Sequence, residues 1–134
     1  MARYQSRISG PLLDRIDLQV EVPAVPATTL AAAPDGEPSA QVAARVRAAQ
    51  ARQHDRQGCL NAALSGDAID RHCALDAAGS RFLQAAAARL GWSARSFHRV
   101  LRSARSIADL AAARDVHTSH LAEAIQYRRA LAAQ

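Results

Sequence analysis

Arginine carries what chemistry this sequence offers. In Ser-Ala-Arg-Ser-Phe-His-Arg-Val-Leu-Arg, residues 93–102, three arginines stand four and then three positions apart. Each helical residue turns by about 100°, so Arg95, Arg99 and Arg102 fall within about 60° of one another. Arg105 follows nearby, and no acid interrupts the run before Asp109. Planar, permanently charged guanidinium groups in such a row repel one another in water and gain when a phosphate lies across them. By spacing alone, a solvated helix face is the commoner outcome.

A fourth arginine, Arg15, sits between Asp14 and Asp17 in Gly-Pro-Leu-Leu-Asp-Arg-Ile-Asp-Leu, residues 10–18. Residue type alone favours a local ion pair there. Other constellations lead nowhere. His117, His120 and Glu123 could share a helix face, but zinc needs matching ligands elsewhere, and no metal site is expected. Cys59 and Cys73, with His54 and His72, lack any recognised zinc spacing, and reduced, buried thiols are expected. No serine, histidine and aspartate stand in a nucleophile-elbow context.

Helices must position these arginines. Ser93 offers an N-cap for a helix running to about Ala113, with Phe97, Val100, Leu101, Ala104, Ile107, Ala108 and Ala111 as its apolar stripe. Asp76 caps a helix whose Phe82, Leu83, Ala86 and Leu90 share a face, and Gly91 ends it. Trp92, between Gly91 and the Ser93 cap, reads as a hydrophobic staple. Ser39 starts an earlier helix to about residue 56, stopped by Gly58 and carrying Val42, Val46 and Ala49 at helical spacing. Residues 59–75, broken by Gly66, hold short helical pieces. A last helix from Thr118 buries Leu121, Ala124, Ile125 and Leu131.

The opening is different. Residues 18–22, Leu-Gln-Val-Glu-Val, alternate apolar and polar like a short strand, which has nothing in this chain to pair with. That predicts a segment belonging to a larger domain. Four of the five prolines then fall within residues 23–38, as in a linker. Alanine supplies most of the apolar residues and aromatics only 4%, which favours packed helices over a sandwich or barrel.

All 17 basic residues are arginine. The absence of lysine excludes Schiff-base chemistry and the phosphate-loop lysine of a Walker A motif, so the chain cannot carry a standard nucleotide site by itself. Residues 39–134 hold 14 arginines against seven acids, a balance that raises the prospect of a phosphate-bearing partner, nucleotide or nucleic acid. Direct DNA binding through the basic helices, by Arg99 and Arg102, is therefore a rival reading. No apolar run reaches the length of a membrane span, and a soluble, cytoplasmic protein is expected.

Gly10 to Leu18 resembles the segment of magnesium-chelatase-like AAA+ ATPases in which an arginine finger is delivered just before a core strand. Matched to that pattern, Arg15 is the finger, acting in trans. Ser93 to Leu110 resembles the family's lid helix with its sensor-2 arginine in a Ser-x-Arg motif, which assigns sensor 2 to Arg95, with Arg99 as support. Residues 120–128 resemble its closing helix. Arg52, Gln53, Arg56, Gln57, Gly58 and Asn61 resemble its linker to the lid. The sequence departs at Ser106, where the pattern has threonine.

The resemblance, nearest to ComM-type members, implies a mainly α fold. Residues 1–24 would end the AAA+ core, 25–38 form a proline-rich linker, and 39–134 build a helical lid of about four helices. It also implies a parent that hydrolyses ATP with Mg2+ as a homo-oligomeric ring, a hexamer, and acts on DNA in competence or branch migration. The ATPase subunit of a true magnesium chelatase is the alternative. The segment by itself would be inert and hold no cofactor.

Overall fold

In the computed structural model, residues 15–31 and 36–129 are described. Their helices are α1 (Ala27–Leu30), α2 (Ser39–Gln57), α3 (Asp67–His72), α4 (Ala77–Leu90), α5 (Ala94–Leu110) and α6 (Thr118–Arg129), with a 3-10 turn at Asn61–Ala63. The mainly α fold is as expected, and α2, α4, α5 and α6 are the four substantial helices among the described residues.

The ends follow the sequence's own signals. Asp76 accepts a hydrogen bond from the Gly79 amide at 2.6 Å, and Ser93 accepts one from the Ser96 amide at 3.2 Å. Each satisfies an amide that the first helical turn leaves unpaired. Gly58 and Gly91 close α2 and α4 with φ of 73° and 61°, a left-handed conformation that costs glycine little. Pro38, with Ser39 as the first helical residue, occupies the N-cap of α2, one position before the serine expected there. Its missing amide proton costs nothing at a helix start.

Helix α5 is the centre of the bundle, packed against α6, α2, α3 and the 3-10 turn, while α4 closes over α6. Its Val100, Leu101, Ala104 and Ala108 meet Leu83 of α4, Ile69 of α3 and Leu121, Ala124 and Ile125 of α6 in one core. Leu83 and Leu121 are fully buried, each contributing roughly 2 kcal/mol by removing its side chain from water. Gly79 faces this contact, where an added Cβ would lie 3.1 Å from Asp76 Oδ1 and 3.4 Å from Leu121 Cδ1.

Three expectations are corrected. Helix α5 stops at Leu110, and Ala111 is exposed in the following turn. There Ala112 takes φ of 55°, so the chain reverses three residues before the apolar period gives out. Among the described residues, 18–22 form no strand: Leu18, Val20 and Val22 are exposed, with no second strand there to satisfy their backbone. Of the predicted face of α2, Ala49 is buried but Val42 and Val46 remain 39% and 41% exposed. Only the C-terminal half of α2 is covered by the bundle. Leu131 lies outside the described residues.

Candidate functional site

The two ends of α5 use arginine differently. At the C-terminal end Arg105 is buried, 3.0 Å from Asp109, and donates to the carbonyls of Ala113 and Arg114 at 2.8 Å each. Asp109, also buried, accepts from Arg56 on both oxygens, at 2.6 and 3.0 Å. A bidentate guanidinium–carboxylate pair is the strong form of this contact. Burial is the largest influence on this carboxyl and would raise its pKa. The hydrogen bonds from Arg56 and Asn61 and the charges of Arg105 and Arg56 outweigh it and hold the pKa below the usual carboxylate range.

Asn61 is the hub that joins α2 to α5. Its amide nitrogen donates to Asp109 Oδ2 at 2.8 Å and Ser106 Oγ at 3.1 Å. Its oxygen accepts from Arg56 and Gln57 at 2.9 Å each, and its backbone amide donates to Gln53 Oε1 at 2.9 Å. Arg52 adds a 3.2 Å bond to the Asp109 carbonyl. The Ser106 hydroxyl both accepts from Asn61 and donates to the Arg102 carbonyl at 2.9 Å. The working group is therefore a hydroxyl, which threonine would equally supply. Burial pushes the nearby Cys73 thiol up to about 11 despite the surrounding arginines, which keeps it protonated and unreactive at neutral pH.

The N-terminal end of α5 is open. Arg95 is exposed and makes no hydrogen bond or ion pair among the described residues. One turn on, Arg99 Nη1 donates to the Arg15 carbonyl at 2.6 Å and to Asp17 Oδ1 at 2.5 Å. Arg102 donates to the Leu64 carbonyl at 2.9 Å. The expected row of three unpaired guanidinium groups is thus reduced to one. Arg99 and Arg102 find partners on an arm and a loop that helical periodicity cannot see.

Sequence reasoning placed Arg15, Arg95 and Arg99 on the list, and the structure brings Arg15 and Arg99 together with Arg95 a turn away. It missed Asp17, which pairs with Arg99, and Arg128, which donates to the Ile16 carbonyl at 3.2 Å and Ser96 Oγ at 3.1 Å. The exposed Arg15 and Arg95 suit a polyphosphate, whose charge two guanidinium groups can meet. Among the described residues no group of three or more His, Cys, Asp and Glu is arranged to hold a metal ion. No helix among the described residues is long and apolar enough to cross a membrane.

Comparison with known proteins supplies the context. The family model described as magnesium chelatase, subunit ChlI C-terminal, matches residues 36–128, and that of magnesium chelatase, subunit ChlI, matches residues 1–30. Competence protein ComM of Haemophilus influenzae is 44% identical over 127 residues, covering 94% of this chain and 25% of that protein. The uncharacterized protein YifB of Salmonella typhimurium is 45% identical and that of Escherichia coli 42%, over the same shares. The chain spans about a quarter of the length of these relatives.

Proposed function

The chain belongs to the family of magnesium chelatase subunit ChlI C-terminal domains, and on that premise we propose that it is the lid and finger region of a ComM-type AAA+ ATP hydrolase. In this reading Arg95 is the sensor-2 arginine that meets the γ-phosphate, and Arg15 is the finger. The single observation that carries it is the N-terminal end of α5. There an unpaired Arg95 stands one turn from Arg99, whose guanidinium grips the backbone of Arg15. In this reading the two groups, distant in sequence, would meet one anionic ligand.

ATP with Mg2+ supplies the scissile phosphoanhydride. This chain's part is electrostatic. A guanidinium set against the transferring phosphoryl group stabilises the charge that develops there, and a finger arginine contributes about 10³ or more in rate. Arg15 would do this across a subunit interface, in a homo-oligomeric, hexameric ring. Arg95 would tie the lid to the nucleotide, so that loss of the γ-phosphate frees the bundle to move as a rigid body. The rigidity has a source in the Asn61 and Asp109 network, which ties α2 to α5.

The name of the Haemophilus relative supports a role in competence, and we extend that to a cytoplasmic motor acting on DNA. The rival in which these helices grip DNA through Arg99 and Arg102 loses ground, because both guanidinium groups already bind protein atoms.

The test restores a phosphate-loop core to this region and compares ATP turnover. Arg15→Ala and Arg95→Ala should each lower turnover by at least about tenfold. Mixing Arg15→Ala subunits with subunits defective in nucleotide binding should recover part of the rate. Unchanged turnover in both single variants would end this reading.

A further inference from the structure

The arm that carries Arg15 is fastened to the bundle at three points. Arg99 Nη1 binds both the Arg15 carbonyl and the Asp17 carboxylate, at 2.6 and 2.5 Å. Arg128 of α6 donates to the Ile16 carbonyl at 3.2 Å. The Gln19 amide donates to the Tyr127 carbonyl at 2.8 Å. Beyond Gln19 the arm runs exposed through Val20 and Val22. All three fastenings therefore lie within residues 15–19, against α5 and α6.

Arg99 is an expensive choice for mere adhesion. Its side chain is 17% exposed, while its Asp17 partner is 54% exposed, so water screens their attraction and the pair adds little to stability. Its Nε is buried without a hydrogen-bond partner, a cost that a simple surface pair would avoid. What the arrangement secures is direction. A planar guanidinium holding the carbonyl of residue 15 and the carboxylate of residue 17 fixes the backbone on both sides of Ile16.

We propose that Arg99 is a positioning residue that locks the Arg15 segment to helix α5, so that the finger and the Arg95 helix move as one body. Arg128 is the second bolt, and through Ser96 Oγ it ties the same arm to the first turn of α5. The proposal rests on Arg15 being the finger. A displacement of the lid then carries the finger with it, and a nucleotide event felt at Arg95 reaches Arg15 through about one helical turn of α5.

Two measurements test it. In the 134-residue chain, amide hydrogen exchange at Gln19 should speed up about tenfold in Arg99→Gln. Asp17→Asn, an arm-side change that leaves the bundle intact, should do the same in lesser degree, and Arg99→Lys should retain part of the protection. Amides of core helix positions such as Val100 should not change. In the ATP hydrolase that contains this region, Arg99→Gln should lower kcat by about tenfold with the KM for ATP held within about twofold. Unaltered Gln19 exchange in both Arg99→Gln and Asp17→Asn would overturn the lock. Faster exchange with undiminished kcat, in a protein where Arg15→Ala is impaired, would overturn the positioning role and leave the finger standing. If Arg15→Ala keeps full turnover, the finger reading itself falls, and this inference with it.

Discussion

One helix, α5, carries arginines at both ends, and the two ends have opposite fates. Near the C-terminus Arg105 is buried beside Asp109 with two carbonyls closing around it. Near the N-terminus Arg95 stands in solvent. The spacing of the residues is similar and the side chain identical. The difference lies in what the rest of the chain brings. The linker residues Arg56 and Asn61 come back to Asp109, whereas at the other end the arm takes Arg99 and Arg128 takes Ser96, which leaves Arg95 presented. An arginine is a strut where the fold returns an acid to it and a probe where it does not.

The contrast can be broken at its structural end first. Asp109→Ala would leave Arg105 buried and Arg56 without its bidentate partner. Chemical denaturation should show a loss of about 3–5 kcal/mol, enough to unfold a domain of this size. A result below about 1 kcal/mol would mean that both arginines reach solvent and that the two ends are not so different.

Acid sharpens the same point more gently. The folded-state pKa of Asp109 is depressed, so its contribution is fully present above the unfolded value of about 4 and is lost as the pH falls through the lower folded value. His120 adds to this from higher pH. Burial, then the charge of His117, lowers its pKa, and its Nδ1 accepts the His117 amide at 3.0 Å. Stability should therefore begin to decline below about pH 6.5 and fall more steeply below about 4. Thermal melts of Asp109→Asn should lack the steeper acid limb, and those of His120→Gln the shallower one.

The smallest effect is expected at the open end. Arg95→Ala should change folding stability by less than about 0.5 kcal/mol, as read from the same denaturation curves. A loss above about 1 kcal/mol would show Arg95 to be part of the scaffold and erase the contrast.

Much of the fold was legible because its punctuation is local. Asp76, Ser93, Gly58 and Gly91 act on their own neighbours, and all four behave in the structure as their types imply. The stripe on α5 was legible too, since apolar spacing reports the buried face directly. What escaped was every feature decided by a distant partner. Nothing near Asp109 reveals that residues 48 and 53 positions earlier will bind it. Nothing in Arg99 reveals Asp17, 82 positions away. Just beyond the end of α5, Arg105 reaches forward to the carbonyls of Ala113 and Arg114, bonds that no helix propensity encodes. The linker residues were recognised by likeness to a family, and their chemistry became visible only once the chain had folded.

Helix α2 is rich in alanine, and a face of methyl groups resists a slide of one turn along its neighbour, about 5.4 Å, less than larger side chains would. Asn61 forbids it. Both hydrogens of its amide, its oxygen and its backbone proton are engaged at once, and any other alignment would strand a carboxylate and several amides in a dry interior. The bundle is thus keyed like a lock with a single notch: methyl groups supply the cohesion, and one carboxamide dictates where along each rod they meet.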